Sequence, residues 1–355
     1  MKPNTLVTGA NGYTGYWFSR YLVNRGDVVR AMYYVPDGKP QFDGASLQLI
    51  PGDIRDRRQV AEALEGIETV FHIAALYRPT NVGRKDFWDV NVEGTRNMVE
   101  LAAKAGVKRF VHCSTMGVHG TVGRTPLTEE APIQPDDDYQ ESKWEGERLA
   151  LTLANRLGLP LTVIRPAGIY GPYETRFLKL TQLIARGRFV MFGSGETYYH
   201  FVHVRDLSEA FVLAAESDRA VGRAYLVGDD YAISLNHMVG CLAEALGVRR
   251  PRLRLPYGLL KAAAVACEGV CRPLGIAPPI HRRRAAWFAS NRTFDISRAR
   301  AELGYRPAIR IEDGLREMVQ SYREAGWLQL SSRTPAGSHE RIATWRVEHV
   351  RHLRV

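Results

Sequence analysis

The first half of the chain alternates short, β-branched apolar runs with stretches whose apolar residues recur at helical spacing. That alternation is the pattern of βαβ units and a parallel sheet. Strands are predicted at 5–8, 28–32, 47–50, 69–73, 109–113 and 161–165. Helices are predicted over about 16–24, 57–64, 87–105 and 139–157. Right-handed crossovers would wind these strands into one doubly wound α/β sheet with helices on both faces.

After Arg165 the pattern loosens. Gly- and Pro-rich loops at 168–172 and 193–196 separate shorter elements, which predicts a smaller substrate-binding part. The runs 201–204 and 223–227 read as strands that are candidates to rejoin the main sheet. The expected organisation is therefore a nucleotide-binding domain over 1–165, a substrate-binding part over 166–328 and a basic tail over 329–355, entered through the linker-like Ser331–Ser338.

At 355 residues and 45% hydrophobic content, the chain can bury one large α/β core or a core with an appendage. Residues 1–7 run straight into a strand without a secretory pattern, so a cytoplasmic protein is expected. The apolar segment 259–267 is interrupted by Lys261 and is shorter than the roughly 20 residues a membrane span requires. It reads as a core or interface helix, with peripheral membrane contact left open.

The four cysteines make no disulfide framework. Cys113 falls in a predicted buried strand, and Cys267 and Cys271 share a helical face without a second ligand pair, so no metal site is expected. The net charge of +10 is concentrated at His281–Arg284 and in the tail. No basic surface interleaved with stacking aromatics accompanies it, which argues against nucleic acid. Anionic substrates, cofactor phosphates or an acidic membrane surface fit better.

Two motifs carry chemistry. In Thr8-Gly9-Ala10-Asn11-Gly12-Tyr13-Thr14-Gly15 a strand turns through glycines into a helix, leaving free amides and a positive dipole end for a pyrophosphate. Gly9 suits the tight turn, Gly12 a close nucleotide, and Gly15 close packing of the helix. Downstream, Tyr139 and Lys143 stand four residues apart on a predicted helix, so the ammonium can sit beside the phenol and favour its ionised form. A tyrosine tuned in this way can pass a proton near neutral pH.

With Gly52-Asp53-Ile54, His72-Ile73-Ala74-Ala75, Asn91–Thr95, Arg165–Pro172 and His203–Leu207, these motifs resemble the extended branch of the short-chain dehydrogenase/reductase superfamily over about 5–327. That branch includes nucleotide-sugar epimerases and dehydratases, dihydroflavonol-type reductases and 3β-hydroxysteroid dehydrogenases. The resemblance implies a Rossmann-type sheet and a catalytic set of Thr115, Tyr139 and Lys143. It implies a dinucleotide site of Gly9, Asn11, Gly12, Tyr13, Gly15, Tyr33, Asp53, Ile54, Ala74, Ala75, Lys143 and Pro166. Substrate contacts would come from Ser114, His119, Tyr170 and Tyr199. Asn91 has family precedent for supporting the active site, and buried capping is the other role open to it. A homodimer through the helices at 87–105 and 139–157 is also implied.

The cofactor is NAD or NADP. Tyr33 and Tyr34 occupy the positions where an acidic residue or an arginine would decide between them, and Arg30 is a distant phosphate candidate. Tyr198-Tyr199-His200 lacks the arginine that many nucleotide-sugar enzymes carry before the Phe-Val-x-Val strand. The expected activity is therefore an NAD(P)-dependent oxidoreductase that interconverts a secondary alcohol and a ketone. The alternatives are a nucleotide-sugar epimerase or dehydratase with tightly bound NAD, and a non-catalytic dinucleotide-binding regulator.

Overall fold

The computed structural model describes residues 4–40, 42, 47–77, 82–121, 126–271, 278 and 282–328. The basic tail, His281 and the side chain of Arg283 lie outside the described residues. Along the first half run β1 (Thr5–Thr8), α1 (Tyr13–Asn24), β2 (Val29–Tyr33), β3 (Leu47–Pro51), α2 (Arg57–Ala63) and β4 (Thr69–His72). They are followed by α3 (Arg84–Trp88), α4 (Thr95–Lys104), β5 (Arg109–Cys113), α5 (Asp138–Leu157) and β6 (Leu161–Pro166). The second half holds β7 (Gly168–Tyr170), α6 (Leu178–Ala185), β8 (Met191–Phe192), β9 (Tyr198–Tyr199), β10 (Phe201–His203), α7 (Val204–Glu216) and β11 (Ala224–Val227). It closes with β12 (Ile233–Ser234), α8 (Leu235–Leu246), β13 (Arg254–Leu255), α9 (Tyr257–Cys271), α10 (Arg282–Ala286), α11 (Ser297–Leu303) and α12 (Ile311–Glu324).

The main sheet has seven parallel strands in the order β11-β6-β5-β4-β1-β2-β3. Strand order reverses between β1 and β4, and a doubly wound sheet opens its binding crevice at the carboxyl ends of such a pair. Phe18 and Leu22 of α1 and Leu207 and Phe211 of α7 cover one face. Val60 of α2, Met98 and Ala102 of α4 and Leu153 of α5 cover the other. With both faces buried, the inner strands read as mostly apolar runs, which is why the sequence shows them clearly, while the edge strand β3 is only partly covered.

Of the two later runs, Ala224–Val227 joins the main sheet beside β6. Phe201–His203 instead pairs with β7 in a separate two-stranded sheet, and Val204 already begins α7, with His203 as its cap. Around this small sheet, α6, α8 and α12 build a core of their own from residues such as Met238, Leu242, Leu315 and Met318.

The helix predicted over 87–105 is not continuous. A π-helical turn, Asp89–Gly94, separates α3 from α4. It brings the Asn91 carbonyl against Gly146 of α5, where a Cβ would stand only 2.2 Å from that oxygen. Widened turns of this kind occur often at functional sites.

Candidate active site

At the carboxyl end of β1 the chain turns at Gly9, whose φ of +74° suits glycine. A Cβ there would lie 2.8 Å from the Ala74 Cα, so the β1 and β4 ends close on each other. Gly15 faces Gly9 across the turn, and its Cβ would stand 2.1 Å from the Gly9 carbonyl oxygen. At Gly12 a Cβ would meet only that oxygen at 3.3 Å, so its outer side is open. Gly12 caps α1 without a side-chain hydrogen bond, and no acidic residue occupies the first turn. Free amides, a positive helix end and an open glycine face fit a dinucleotide pyrophosphate. Gly15→Ala is expected to push the turn apart, weakening dinucleotide binding at least about tenfold and lowering stability by about 1–3 kcal/mol. Dinucleotide titration and thermal melting measure the two effects.

The crevice wall is held by a buried chain of hydrogen bonds. Thr8 Oγ1 accepts the Ile73 and Ala74 amides at 3.1 Å each, which uses both of its lone pairs. Its proton then goes to His72 Nδ1 at 2.9 Å, and His72 Nε2–H donates to Thr95 Oγ1 at 3.1 Å. Thr95 donates in turn to the Asn91 carbonyl at 2.8 Å. The Asn91 side chain accepts from the Leu76 amide at 2.8 Å and donates to Ser142 Oγ on α5 at 2.9 Å. Asn91 thus ties the loop after β4 to the helix that carries Tyr139.

Burial, with a further push from Lys143, holds the His72 pKa down at about 3 and that of neighbouring His112 well below the usual value. Both are neutral at pH 7. Unfolded histidine titrates near 6.5, so as pH falls from there toward 3 the unfolded chain binds protons that the folded chain refuses. Stability is therefore full above about pH 6.5 and falls below it, by up to about 1.4 kcal/mol per pH unit for His72 alone. The urea midpoint should drop between about pH 7 and about pH 5, and a flat midpoint would contradict this account.

Helix α5 starts cleanly, with the Asp137 carboxylate accepting from the Gln140 amide, and ends on left-handed Gly158. Tyr139, Lys143 and Glu147 are buried along it at four-residue spacing and so share one face. Lys143 Nζ donates to the Cys113 carbonyl at 2.7 Å, which fixes α5 to the end of β5. Burial lowers the Lys143 pKa, with Cys113 and Glu147 opposing the shift. The Tyr139 ring packs edge-on to Tyr77 at 5.0 Å and Phe87 at 6.4 Å between centroids.

Beyond β5, successive side chains point to opposite sides. Thr115 is partly exposed, and its Oγ1 accepts the Gly117 amide at 3.1 Å. Ser114 turns inward and donates to Glu147 Oε2 at 2.6 Å. Glu147 is also held by Arg165, whose Nη2 lies 2.5 Å from Oε1. Arg165 Nη1 donates to His119 Nε2 at 3.1 Å, which leaves the His119 Nδ1 proton for the Pro132 carbonyl at 3.3 Å.

The structure therefore brings Thr115 and Lys143 to the end of β5, with Tyr139 one helical turn before Lys143 against Tyr77 and Phe87, and it brings Gly9, Gly12, Gly15, Ala74 and Ala75 to the switch point. The four residues expected to contact substrate all have partners or cover within the protein. Ser114 and His119 are spent on the buried Glu147–Arg165 pair. Tyr170 is fully buried beneath Gly314, and buried Tyr199 donates to the Trp287 carbonyl at 2.8 Å.

The cofactor candidates divide as well. The Asn11 amide donates to the Tyr34 and Gly38 carbonyls at 2.8 and 3.1 Å, so it staples the loop after β2. Tyr13 reaches away from that loop toward Gly171. Ile54 is buried against Gly94, and Pro166 ends β6. Tyr33 ends β2, half-buried. Asp53 is no helix cap, since Asp56 caps α2. Arg55 Nη2 and Nε hold its carboxylate at 2.6 and 2.9 Å, and Arg55 also lies over the Tyr34 ring. Arg30 donates to the Ala63 and Glu65 carbonyls at the far end of the sheet, which removes it as a phosphate ligand.

Sequence reasoning missed the Glu147–Arg165 pair. Its signal was the spacing of Glu147 one turn beyond Lys143, since an acid on that buried face needs a cation. Among the described residues, no group of three His, Cys, Asp or Glu side chains could hold a metal ion.

A switch-point glycine cradle beside a tyrosine–lysine helix defines a dinucleotide-dependent α/β enzyme. The chain belongs to the NAD dependent epimerase/dehydratase family, whose model matches residues 5–228. It is 33% identical over 333 residues to the sterol demethylase protein B of Methylococcus capsulatus, covering 91% of this chain and 99% of that protein. It is 30% identical to a 3 beta-hydroxysteroid dehydrogenase/Delta 5-->4-isomerase of Mycobacterium tuberculosis, covering 89% and 90% of the two. Among solved structures it is similar to the dTDP-glucose 4,6-dehydratase DesIV of Streptomyces venezuelae with NAD and TYD bound, at 26% identity and a TM-score of 0.74 over 92% of this chain and 98% of that one. Its cofactor is a nicotinamide dinucleotide, as the family description and the NAD-bound neighbours indicate.

Proposed function

We propose that the protein is a dehydrogenase/reductase that interconverts a secondary alcohol and a ketone on a lipophilic, sterol-like substrate. The observation that carries this reading is the α5 face, with Tyr139 packed among aromatic rings and Lys143 fixed to the strand end from which Thr115 emerges. The relatives named for sterols and hydroxysteroids support the substrate class.

When bound, the nicotinamide exchanges a hydride with the substrate carbon. In the oxidative direction Thr115 holds the substrate oxygen and Tyr139 takes its proton as the carbon–hydrogen bond breaks. In reduction Tyr139 returns that proton to the oxygen. The Lys143 ammonium favours the phenolate form that accepts it.

NAD is favoured over NADP in this reading. Arg55, the cation near the ends of β2 and β3, is neutralised by Asp53 and so offers little net charge to a 2′-phosphate. An epimerase reading is less favoured because Tyr199 and His200, just before β10, are buried on backbone carbonyls instead of presenting a cationic clamp.

Two measurements test the proposal. Dinucleotide released on denaturation is identified by mass, and the protein is assayed with 3β-hydroxysteroids and added NAD or NADP. Net formation of reduced cofactor, faster with NAD, is the expected result. Tightly retained NAD with no net redox change on any alcohol would overturn it.

A further inference from the structure

Helix α9 has inverted polarity. Its buried stripe is Leu260, Ala264 and Glu268, packed toward Ala285 of α10 and toward Phe192. Glu268 is neutralised there by Arg282, whose Nε lies 3.0 Å from Oε2. The opposite face carries Leu259, Val265 and Val270 at 57%, 50% and 64% exposure, and Lys261 is the only charged residue of the helix left on the outside. Leu253 and Leu255, just before and within β13, are exposed as well. An apolar face of this continuity on a water-exposed helix marks a surface that something covers.

Charge identifies the occupant. Among the described side chains between positions 249 and 284 stand Arg249, Arg250, Arg252, Arg254, Lys261, Arg282 and Arg284 against one acid, Glu268, which Arg282 already neutralises. A second copy of the chain would bring two such cationic rims together. The tail beyond Ser331, with five arginines and two glutamates, would be repelled in the same way. An anionic lipid surface satisfies both the apolar face and the rim. At 15 residues α9 is about 22 Å long, too short to cross a bilayer, and no helix among the described residues is long and apolar enough to do so.

We infer that α9 lies in the headgroup layer of an anionic membrane, with Leu259, Val265 and Val270 inserted and the flanking arginines and Lys261 on the lipid phosphates. This docking goes beyond the catalytic reading and does not depend on it.

The test uses the full chain mixed with phosphatidylcholine vesicles, with or without phosphatidylglycerol, and sedimented. The protein should pellet with the phosphatidylglycerol vesicles and be released by high salt. The triple variant Leu259→Gln, Val265→Gln, Val270→Gln should bind about tenfold or more weakly with an unchanged melting temperature, because these side chains contact little protein. Arg252→Gln with Lys261→Gln should weaken the preference for phosphatidylglycerol and its dependence on salt. Tyr139→Phe should bind vesicles as well as the parent chain, so a failed catalytic reading leaves this result standing. Equal vesicle binding by the triple variant, or no binding to either vesicle, would overturn the inference. So would a dimer detected by light scattering that the triple variant abolishes.

Discussion

Tyr139→Phe should lower turnover by about 10²–10⁴-fold while leaving dinucleotide affinity within about twofold of the parent chain. The substitution removes one oxygen and leaves the ring packed against Tyr77 and Phe87, so those aromatic contacts are kept. What disappears is the hydroxyl that the proposed mechanism uses to accept the substrate proton. Because the glycine cradle is built from β1 and α1, on separate elements from α5, binding and proton transfer separate cleanly in this variant. Stopped-flow measurement of reduced nicotinamide, beside a dinucleotide titration, reads both quantities. Equal turnover in the variant would remove Tyr139 from the mechanism. A parallel loss of dinucleotide affinity would instead show that its ring supports the cofactor site.

Lys143→Met sharpens the same argument. It should also depress turnover, and it should weaken dinucleotide binding more than Tyr139→Phe does, since the resemblance gives Lys143 a second role at the nicotinamide ribose. Its buried ammonium is held by the Cys113 carbonyl, so the substitution also frees the α5 contact with β5.

The parts of this site that could be read from the sequence are those in which residue type and short-range spacing are themselves the physics. A glycine triplet after a strand can be recognised from its own turn, because Gly9 takes a positive φ there and Gly15 avoids a clash with the Gly9 carbonyl. Tyr139 and Lys143 are neighbours by helical geometry alone. The strands of the main sheet were legible because burial on both faces removes polar positions from them.

What escaped was decided by partners far away in sequence. Ser114 and Thr115 are adjacent hydroxyls, and only the position of Glu147 shows which of them faces inward. His119 was expected to contact substrate, yet its ring is an acceptor for Arg165. Tyr170 and Tyr199 are enclosed by residues from the far end of the chain, including Gly314 and Trp287. The π-turn at Asp89–Gly94 keeps the hydrophobic spacing of an ordinary helix, so periodicity did not reveal it.

Breaking the Glu147–Arg165 pair should be the most destabilising single change near the site. Both side chains are buried, with the carboxylate at 0% and the guanidinium at 6% side-chain exposure. Glu147→Leu leaves a buried guanidinium with only the Glu129 carbonyl and His119 as hydrogen-bond acceptors, and it also orphans the Ser114 hydroxyl. A loss of about 3–5 kcal/mol is expected in urea unfolding, comparable to the loss on removing either charge alone. The double variant Glu147→Leu, Arg165→Met should recover part of that loss, because no unpaired charge remains inside. Catalysis should not recover in step with stability. Glu147 sits one turn beyond Lys143, and the pair joins α5 to β6 while Ser114 joins it to the end of β5. Without those ties, the helix face carrying Tyr139 is held less firmly against the strand that presents Thr115, with the Lys143 bond to the Cys113 carbonyl among the contacts that remain. A stable double variant with reduced kcat would therefore assign the pair to positioning. A double variant with full kcat would confine it to stability, and equal stabilities of the single and double variants would show that the two charges are not coupled.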